Sequence, residues 1–420
     1  MSFFKKIILV ILFLCIAVSG VGQISVIDTI EVGIYPAGVA VNAQTNRVYA
    51  VSAGTNSIRV IDGNLDSVID TIYVGQVPFS IDVDTISNRI YVTIRDKDSV
   101  SVIDGETNAV IANVAVGANP YSIGVNPVTN KIYVANTDDD NVFVIDGVSN
   151  SVIDTIVVGD APISVGVNPA ENRIYIGNQG DFDVSVIDGA ADTVITDILI
   201  SDFVGGIGVN PATNRIYVAG SIFDNISVID GSLNSVIDTV DVGGDPALVD
   251  VNPQTNLIYV TNYGEDSVCI IDGSAGSVVG KVGVGDQPMG VGVNPRTHKI
   301  YIGCFNETRV WVLQDLTGGI EVYPSNPSSL NFSVSPNPCS GSTEFILNVP
   351  RGSGEVSFSI YNVAGTPVKS FSLGSVSSST ITLLWDGRGD KGEKCVSGVY
   401  IGVLKAGENK PSQGKILLVY

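Results

Sequence analysis

The chain has 420 residues, of which 45% are hydrophobic and 15% are charged, and it contains 46 Gly, 18 Pro and a single His. This composition excludes a disordered polymer, and its richness in Val, Ile, Thr, Gly, Asn and Asp excludes a helical bundle. Acidic residues outnumber basic ones by 43 to 22, so the net charge of −21 argues against a nucleic-acid partner, and one His excludes a metal site of clustered histidines.

Residues 1–22 have the features of an export signal peptide. Lys5 and Lys6 precede an apolar run at positions 7–18, and small residues follow it before Gln23. This run is shorter than the roughly 20 residues that a membrane-spanning helix requires, and Gly, Asp or Asn interrupts every later apolar run. We therefore expect a mature chain without a transmembrane span that is extracellular or attached to the cell surface.

A repeat of 42 residues dominates the chain from residue 23 to residue 314. Three ladders recur at this step: a Tyr within a segment of the NRIYV type, an Asp before Gly, and a Pro before the next apolar run. The ladders are Tyr49, Tyr91, Tyr133, Tyr175, Tyr217, Tyr259 and Tyr301; Asp62, Asp104, Asp146, Asp188, Asp230 and Asp272; and Pro36, Pro78, Pro120, Pro162, Pro246 and Pro288, with Val204 as the exception.

Each unit contains four short apolar runs separated by turn residues, which is the pattern of one four-stranded propeller blade. Asn-Pro pairs such as Asn126-Pro127 predict an Asx-type turn after the first strand. Asp-Gly pairs such as Asp62-Gly63 predict a turn between the third and fourth strands in which these two residues tolerate positive φ. Because the Asp ladder repeats with the fold, we interpret it as structural and not as a ring of catalytic carboxylates.

The number of strands in each unit indicates how the repeats close. The seventh unit has no fourth strand after its third, whereas residues 24–33 align with the fourth strand of the first unit at residues 66–75. We therefore expect an all-β fold in which residues 23–314 form a seven-bladed β-propeller, with the N-terminal strand 24–33 completing the last blade.

The recurring IYVTN and IYVAN cores, with VSVIDG and a VGxxP motif, resemble the YVTN family of seven-bladed β-propellers over residues 24–314. This resemblance implies the propeller fold and a secreted or surface-layer protein that serves as a binding platform. Some related propellers carry lyase or oxidoreductase sites, so the resemblance assigns a fold more firmly than an activity.

The composition changes after the repeats. Residues 315–332 are rich in Pro, Ser, Asn and Gly, which is typical of a linker. Residues 333–420 contain six short apolar runs, which predict a C-terminal β-sandwich. They hold 8 basic and 6 acidic residues, against 12 and 37 for residues 23–332, so the two regions also differ in charge.

The segments SPNP at 335–338, IYNVAGTPV at 360–368, WDGRGDKGEKCVSGVYIGVLKAG at 385–407 and KILLVY at 415–420 resemble the type A sorting domain of the type IX secretion system. That domain is closely similar to the FlgD-type immunoglobulin-like domain. The resemblance implies that residues 333–420 are an immunoglobulin-like sorting domain that serves in export or surface attachment, with the outer-membrane secretion machinery as its partner.

Four cysteines follow the signal segment, and an oxidising compartment would permit bridges between them. Cys339 and Cys395 fall in one domain and are candidates for a disulfide. Cys269 and Cys304 lie in neighbouring repeats, where we favour free buried thiols over a bridge. The acidic run at 138–140 lacks the Gly and the Glu that an EF-hand requires, so no metal and no cofactor is predicted.

Ligand recognition is expected on one face of the propeller, formed by the loops between units and the loops between second and third strands. These loops vary while the rest of the repeat is constant, although unconstrained loop tips are the alternative interpretation. The candidate ligand-binding residues are Phe79, Arg95, Lys97, Tyr121, Gln179, Phe182, Phe223, Tyr263 and Phe305. The positions directly after the Pro ladder are Ala37, Phe79, Tyr121, Ile163, Gly205, Ala247 and Met289.

The constant period leaves little room for the extended loops that build enzyme pockets, so we expect no catalytic residues. The favoured function is a non-enzymatic binding or adhesion scaffold with a protein or glycan ligand. One alternative is an extracellular hydrolase or lyase, which would need converging carboxylates with raised pKa values beside an open pocket in the channel. The other is a surface-array structural protein, which would need lateral contacts between outer fourth strands.

Overall fold

The computed structural model describes residues 24–315, 331–335, 343–349, 354–362, 365–375, 380–407 and 412–418. The chain divides into two compact units, one of the repeats and one of the C-terminal domain. The predicted signal peptide, most of the predicted linker and Cys339 lie outside the described residues. No helix in the described ranges is long and apolar enough to cross a membrane.

The compact unit that contains all the repeats, called the repeat unit below, is built from 28 strands. In chain order they are β1 (Ile24–Glu31), β2 (Pro36–Asn42), β3 (Arg47–Ser52), β4 (Ser57–Asp62), β5 (Ser67–Tyr73), β6 (Pro78–Asp84), β7 (Arg89–Ile94), β8 (Ser99–Asp104), β9 (Ala109–Ala115), β10 (Pro120–Asn126), β11 (Lys131–Asn136), β12 (Asn141–Asp146), β13 (Ser151–Val157), β14 (Pro162–Asn168), β15 (Arg173–Asn178), β16 (Asp183–Asp188), β17 (Thr193–Leu199), β18 (Val204–Asn210), β19 (Arg215–Gly220), β20 (Asn225–Asp230), β21 (Ser235–Asp241), β22 (Pro246–Asn252), β23 (Leu257–Asn262), β24 (Ser267–Asp272), β25 (Ser277–Gly283), β26 (Pro288–Asn294), β27 (Lys299–Cys304) and β28 (Arg309–Asp315).

These strands form four-stranded antiparallel sheets. Six sheets each take four consecutive strands, from β2–β5 to β22–β25, and a further sheet has the order β26-β27-β28-β1. The first strand of each sheet packs beside the first strand of the next, and β26 packs beside β2. The repeat unit is therefore a propeller-like all-β fold, with the first strands innermost.

Burial along each sheet follows from this arrangement. The second strands are buried on both faces because neighbouring sheets cover them, and β11 is buried at every position after Lys131. The Tyr ladder lies on these strands and its members are among the largest fully buried side chains. Fourth strands such as β13 are mostly exposed because they are outer edges, and β13 has one half-buried position, Val152, and one buried position, Ile156.

The turn after each first strand has the predicted Asx geometry. The side-chain oxygen of Asn126 accepts hydrogen bonds from the backbone N–H groups of Val128 and Thr129, at 3.1 and 3.3 Å. The Asp ladder closes the turn between the third and fourth strands in the same way, since Asp62 accepts from Asn64 and Leu65 at 2.8 and 3.1 Å. These side chains hold the turns in place, as a structural role requires.

The predicted location of positive φ in this second turn is wrong. Positive φ falls on the last residue of the turn and not on the Asp-Gly pair, as at Asp66 with φ of 46°. Gly63 is needed for space, because a Cβ there would lie 2.5 Å from Oδ1 of Asn46 on the neighbouring turn. The positive-φ residues of these turns are Asp66, Asn108, Asn150, Asp192, Asn234 and Gly276.

The N-terminal strand β1 pairs antiparallel with β28, from Ile24 opposite Asp315 to Glu31 opposite Arg309. Immediately after it, the N–H groups of Val32 and Gly33 donate to the carbonyl oxygen of Thr308 at 2.8 and 3.1 Å. Ile30 and Val32 are buried. Residues distant in sequence thus share one sheet.

The C-terminal unit contains two sheets, with strand orders β29-β30-β33 and β32-β31-β34-β35. Its core includes Phe345, Phe358, Trp385 and Leu404, all buried. Its first strand begins at Asn331, two residues before the predicted domain boundary. The strands are β29 (Asn331–Ser335), β30 (Thr343–Asn348), β31 (Glu355–Asn362), β32 (Pro367–Ser375), β33 (Thr380–Trp385), β34 (Gly398–Ala406) and β35 (Ser412–Leu418).

The described cysteines Cys269, Cys304 and Cys395 are buried, and Cys269 and Cys304 form no bridge with each other. Burial raises the pKa of Cys269 to about 11 and that of Cys304 to about 12, so neither thiol is ionised near neutral pH. The expectation of free thiols at Cys269 and Cys304 agrees with this. A bridge from Cys395 to Cys339 stays a prediction.

Candidate binding site

The two variable loop sets lie together in every repeat. The first residue of each loop between second and third strands donates a backbone hydrogen bond to the loop that precedes the first strand of the same sheet. Arg95 donates to Val77 at 3.2 Å, and Gln179 donates to Ala161 at 3.0 Å. The loop face, as we call this surface, comprises residues 32–35, 53–56, 74–77, 95–98, 116–119, 137–140, 158–161, 179–182, 200–203, 221–224, 242–245, 263–266, 284–287 and 305–308.

A central cavity of about 240 Å³ is bordered by loop-face residues. Each of the seven positions directly after the Pro ladder contributes a residue to its wall, so the cavity lies where the seven first strands meet. Its lining is mostly apolar, with a few polar groups. The further lining residues are Gly38, Ser80, Ser122, Gln179, Phe203, Val204, Gly206, Ser221, Asp245, Pro246 and Leu248.

One wall of the central cavity is aromatic. The rings of Phe79 and Tyr121 have centroids 4.5 Å apart. The guanidinium group of Arg95 lies over both rings, at 5.0 and 4.9 Å from their centroids, and its Nε donates to Oδ1 of Asn119 at 2.8 Å. This contact holds a cation against the ring faces and fixes their position, as cation–π geometry favours. Burial raises the pKa of Tyr121, so its hydroxyl stays protonated.

An apolar patch adjoins the opposite side of the cavity, where the repeat breaks. Val204 replaces Pro at the start of the first strand, Phe203 precedes it, and the ring centroid of Phe182 lies 6.3 Å from that of Phe203. The carboxylate of Asp202 accepts hydrogen bonds from the backbone N–H groups of Ile222 and Phe223, at 2.9 and 3.3 Å. We define the apolar patch by its four exposed side chains, Phe182 (40% exposed), Phe203 (37%), Ile222 (57%) and Phe223 (63%).

Phe182 also has an unusual backbone conformation, with φ of 59°. Left-handed φ is unfavourable for a bulky residue, whereas Asn and Asp tolerate it. The equivalent positions in other repeats with positive φ all carry such residues. They are Asn56, Asp98, Asp140, Asp224 and Asp266.

The remaining predicted residues lie around the cavity. Gln179 lines it, while Lys97 is exposed on a neighbouring loop. The hydroxyl of Tyr263 donates to Gln287 at 2.8 Å, and Phe305 stacks on Tyr35 with centroids 5.1 Å apart. Phe203 and Leu248 are not among the predicted residues, although the break of the Pro ladder at Val204 marks the neighbourhood of Phe203 in the sequence.

A second cavity, of about 270 Å³, lies farther along the first strands and contains two carboxylates, Asp82 and Asp250. Each side chain accepts a backbone N–H of the following sheet, Asp82 from Val125 and Asp250 from Val293, both at 2.7 Å. Burial raises the pKa of Asp82 to about 6 and that of Asp250 to about 7. The negative charge of Asp82 adds to the rise at Asp250.

Within the described ranges, no group of three or more His, Cys, Asp or Glu side chains is arranged to hold a metal ion.

Comparison with known proteins identifies the C-terminal domain and supports the repeat fold. Residues 337–409 match the FlgD Ig-like domain family. The hydrazine synthase of Kuenenia stuttgartiensis superimposes with a TM-score of 0.62 at 18% identity, covering 67% of this chain and 96% of that one. No curated protein matches. In all, 1209 solved chains match. A shared fold does not by itself assign an activity.

Proposed function

We propose that the chain is an extracellular, non-enzymatic binding scaffold whose ligand occupies the central cavity on the loop face. The observation that carries this proposal is the convergence of all seven variable positions after the Pro ladder on one apolar cavity. A concave, mostly apolar surface with few polar groups is the usual form of a ligand site. The stack of Phe79, Tyr121 and Arg95 supplies a rigid aromatic wall.

We also propose that the sheets form a closed seven-bladed propeller of the YVTN type, with β1 as the fourth strand of the last blade. The contacts between the last and first repeats support this, since Asn294 donates to Asn46 at 2.7 Å as Asn126 does to Asn172 at 2.8 Å between consecutive sheets. A ring closed in this way would be rigid enough to hold the cavity in shape.

For the C-terminal domain we propose the role of a type IX sorting domain that exports or anchors the propeller after the signal peptide is removed. The match to the FlgD Ig-like domain supports the fold that this role requires. Cell fractionation with and without residues 333–420 tests it. We expect the truncated chain to be lost from the cell surface and the medium, and normal delivery of that chain would refute the role.

Binding at the central cavity is tested with the full chain on glycan and peptide arrays. The double variant Phe79→Ala, Tyr121→Ala removes the aromatic wall, and we expect at least a tenfold loss of affinity for any ligand found. Leu65→Ser is the matched control, because Leu65 is 69% exposed on a turn outside the loop face. A ligand that tolerates the double variant would place recognition elsewhere.

A channel hydrolase or lyase is the second candidate, and the pair Asp82 and Asp250 is the observation that favours it. Two carboxylates with raised pKa values beside a cavity meet the requirement for an acid–base pair. Their bonds to backbone N–H groups of the next sheet, however, give both residues a structural role. Hydrolysis of arrayed glycans that is abolished in Asp82→Asn and Asp250→Asn would establish this second function.

A further inference from the structure

We propose that the apolar patch and the central cavity together dock a basic polypeptide segment that inserts one large apolar side chain into the cavity. The proposal rests on the proposed binding function and names the class of partner. Three observations carry it: the position of the apolar patch, the charge of the loop face and the size of the cavity.

The apolar patch lies where the repeat is interrupted. Its four large apolar side chains are exposed. Other repeats carry Asn, Asp or Thr at the position of Phe182, Gly, Asp or Asn at that of Ile222, and Thr, Lys, Asp or Glu at that of Phe223, whereas the position of Phe203 varies from repeat to repeat. Phe182 is present despite a backbone conformation that suits Asn or Asp better. Adjacent exposed apolar side chains are typical of interaction sites, and aromatic residues are enriched in the centres of protein interfaces.

The loop face is strongly acidic. Its fourteen loops contain 14 acidic residues and only two basic ones, Arg95 and Lys97, which share a single loop. Asp245 lies on the cavity wall itself. Such a surface attracts a cationic partner and repels phosphate backbones, anionic glycans and anionic lipid headgroups.

The central cavity fits one large side chain better than a complete small-molecule ligand. Its volume of about 240 Å³ is below the roughly 300–1,000 Å³ of typical small-molecule sites. Phe203 belongs to both the cavity wall and the apolar patch, so an anchor in the cavity would continue onto the patch. A polypeptide supplies an apolar anchor and flanking cations in one chain, which satisfies both the patch and the acidic loops.

The test uses a random dodecapeptide library displayed on phage and panned against the full chain. The patch variant is Phe182→Asn, Phe223→Ser, in which Asn matches the residue that other repeats place at this backbone conformation. The matched control variant is Leu65→Ser, Leu233→Ser, because both leucines are equally exposed, at 69% and 68%, on turns outside the loop face. Circular dichroism verifies that both variants are folded.

We expect enriched peptides that carry an aromatic residue or Leu close to two or more Lys or Arg residues. A synthetic copy of the best peptide should bind the unaltered chain and the control variant equally, and the patch variant at least tenfold more weakly. Raising the salt concentration from 50 to 500 mM should weaken binding at least fivefold, because the acidic loops would be screened.

Three results would overturn the proposal: no enrichment, enriched peptides without basic residues, or equal binding to the patch variant. The proposed function is judged separately by the array experiment with the Phe79 and Tyr121 variants. A glycan that binds the cavity without the apolar patch would leave that function standing and refute the polypeptide partner. Failure of both experiments would refute both.

Discussion

At the scale of single residues, Asp82 and Asp250 occupy a position of the first strand that other repeats fill with Gly or Ala. The pKa values of both carboxyl groups lie far above their ordinary range because burial removes these groups from water. The folded chain therefore binds more protons than the unfolded chain between about pH 4 and pH 7. The stability that these groups contribute is complete below about pH 4 and is lost as the pH rises through their folded pKa values.

The double variant Asp82→Asn, Asp250→Asn should remove this dependence. We expect it to be more stable than the unaltered chain at pH 8, on the order of 1–3 kcal/mol, and to lose that advantage by pH 4.5. Guanidinium unfolding of both chains across this pH range measures the difference between their stabilities. The contributions of all other acidic groups are the same in both chains and cancel in this difference. Parallel stability curves for the two chains would contradict the raised pKa values.

Phe182→Asn should stabilise the fold. Asn tolerates the left-handed conformation of this position better than Phe, and we expect a gain of about 0.5–1 kcal/mol in the free energy of unfolding. Phe223→Asn is the control, because Phe223 is exposed and has no positive φ. Equilibrium denaturation compares the two. A loss of stability in Phe182→Asn would mean that its ring packing outweighs the backbone strain.

At the scale of elements, the first strands face a difficulty that the sequence does not show. Each is the inner edge of its sheet, and some of its N–H groups point towards the preceding sheet without a strand to accept them. Side-chain oxygens fill this role: Ser80 accepts from Ile123 at 3.4 Å, and Ser164 accepts from Ile207 at 2.9 Å. Asp82 and Asp250 accept N–H groups of the following sheet in the same way.

Ser122 accepts in the same way, from Val165, and replacing any of the three serines with Ala should lower stability. The loss should be larger where the hydrogen bond is shorter and more buried. We expect about 1–3 kcal/mol for Ser164→Ala, whose bond is the shortest and is buried, less for Ser122→Ala, whose bond is 3.1 Å long, and least for Ser80→Ala. Urea unfolding of the three variants gives the order. A reversed order would show that these bonds do not connect the sheets as described.

The outer fourth strands explain why we do not favour a surface array. In β5 the register shifts opposite Val60 and Ile61, so that Ile69 is left unpaired as a bulge, and it is 46% exposed. The same shift recurs in the other sheets of the repeat unit. A bulged edge twists away from a second strand, which opposes pairing between copies through these edges.

Much of this architecture could be predicted from the sequence, because each ladder has a local cause. Asn126 and Asp62 form turns through their own neighbours, so the four-strand unit was visible in the pattern. The bulge at Ile69 and the role of Gly63 depend on contacts between strands and turns of one sheet that the turn residues do not specify. The pairing of Asp82 and Asp250 with backbone N–H groups depends on packing between sheets, which a single repeat does not encode. The same limit applies to the site, where Phe79 and Tyr121 were found as variable positions but Phe203 was not.

At the scale of the whole molecule, the position of the cavity depends on seven similar four-stranded sheets held in a fixed order. Each repeat adds at least one residue to the cavity wall, so the shape of the wall depends on the contacts between neighbouring sheets. These contacts are repeated side-chain bonds such as that from Lys131 to Asp192, and a matching bond joins Lys299 to Asp66 across the ends of the repeat unit. A defect at this junction would therefore disturb the cavity as well as the fold.

The N-terminal strand is the element on which this junction most depends. A chain that begins at Ile34 lacks β1 and loses the buried side chains of Ile30 and Val32 together with the pairing to β28. Burial of these two side chains alone contributes about 3–6 kcal/mol. We expect this chain to melt at least 10 °C lower than one that begins at Ile24, and to lose ligand binding at the cavity, in calorimetry and in the array experiment. Equal melting temperatures would refute closure through β1, because an edge without pairing would then have cost nothing.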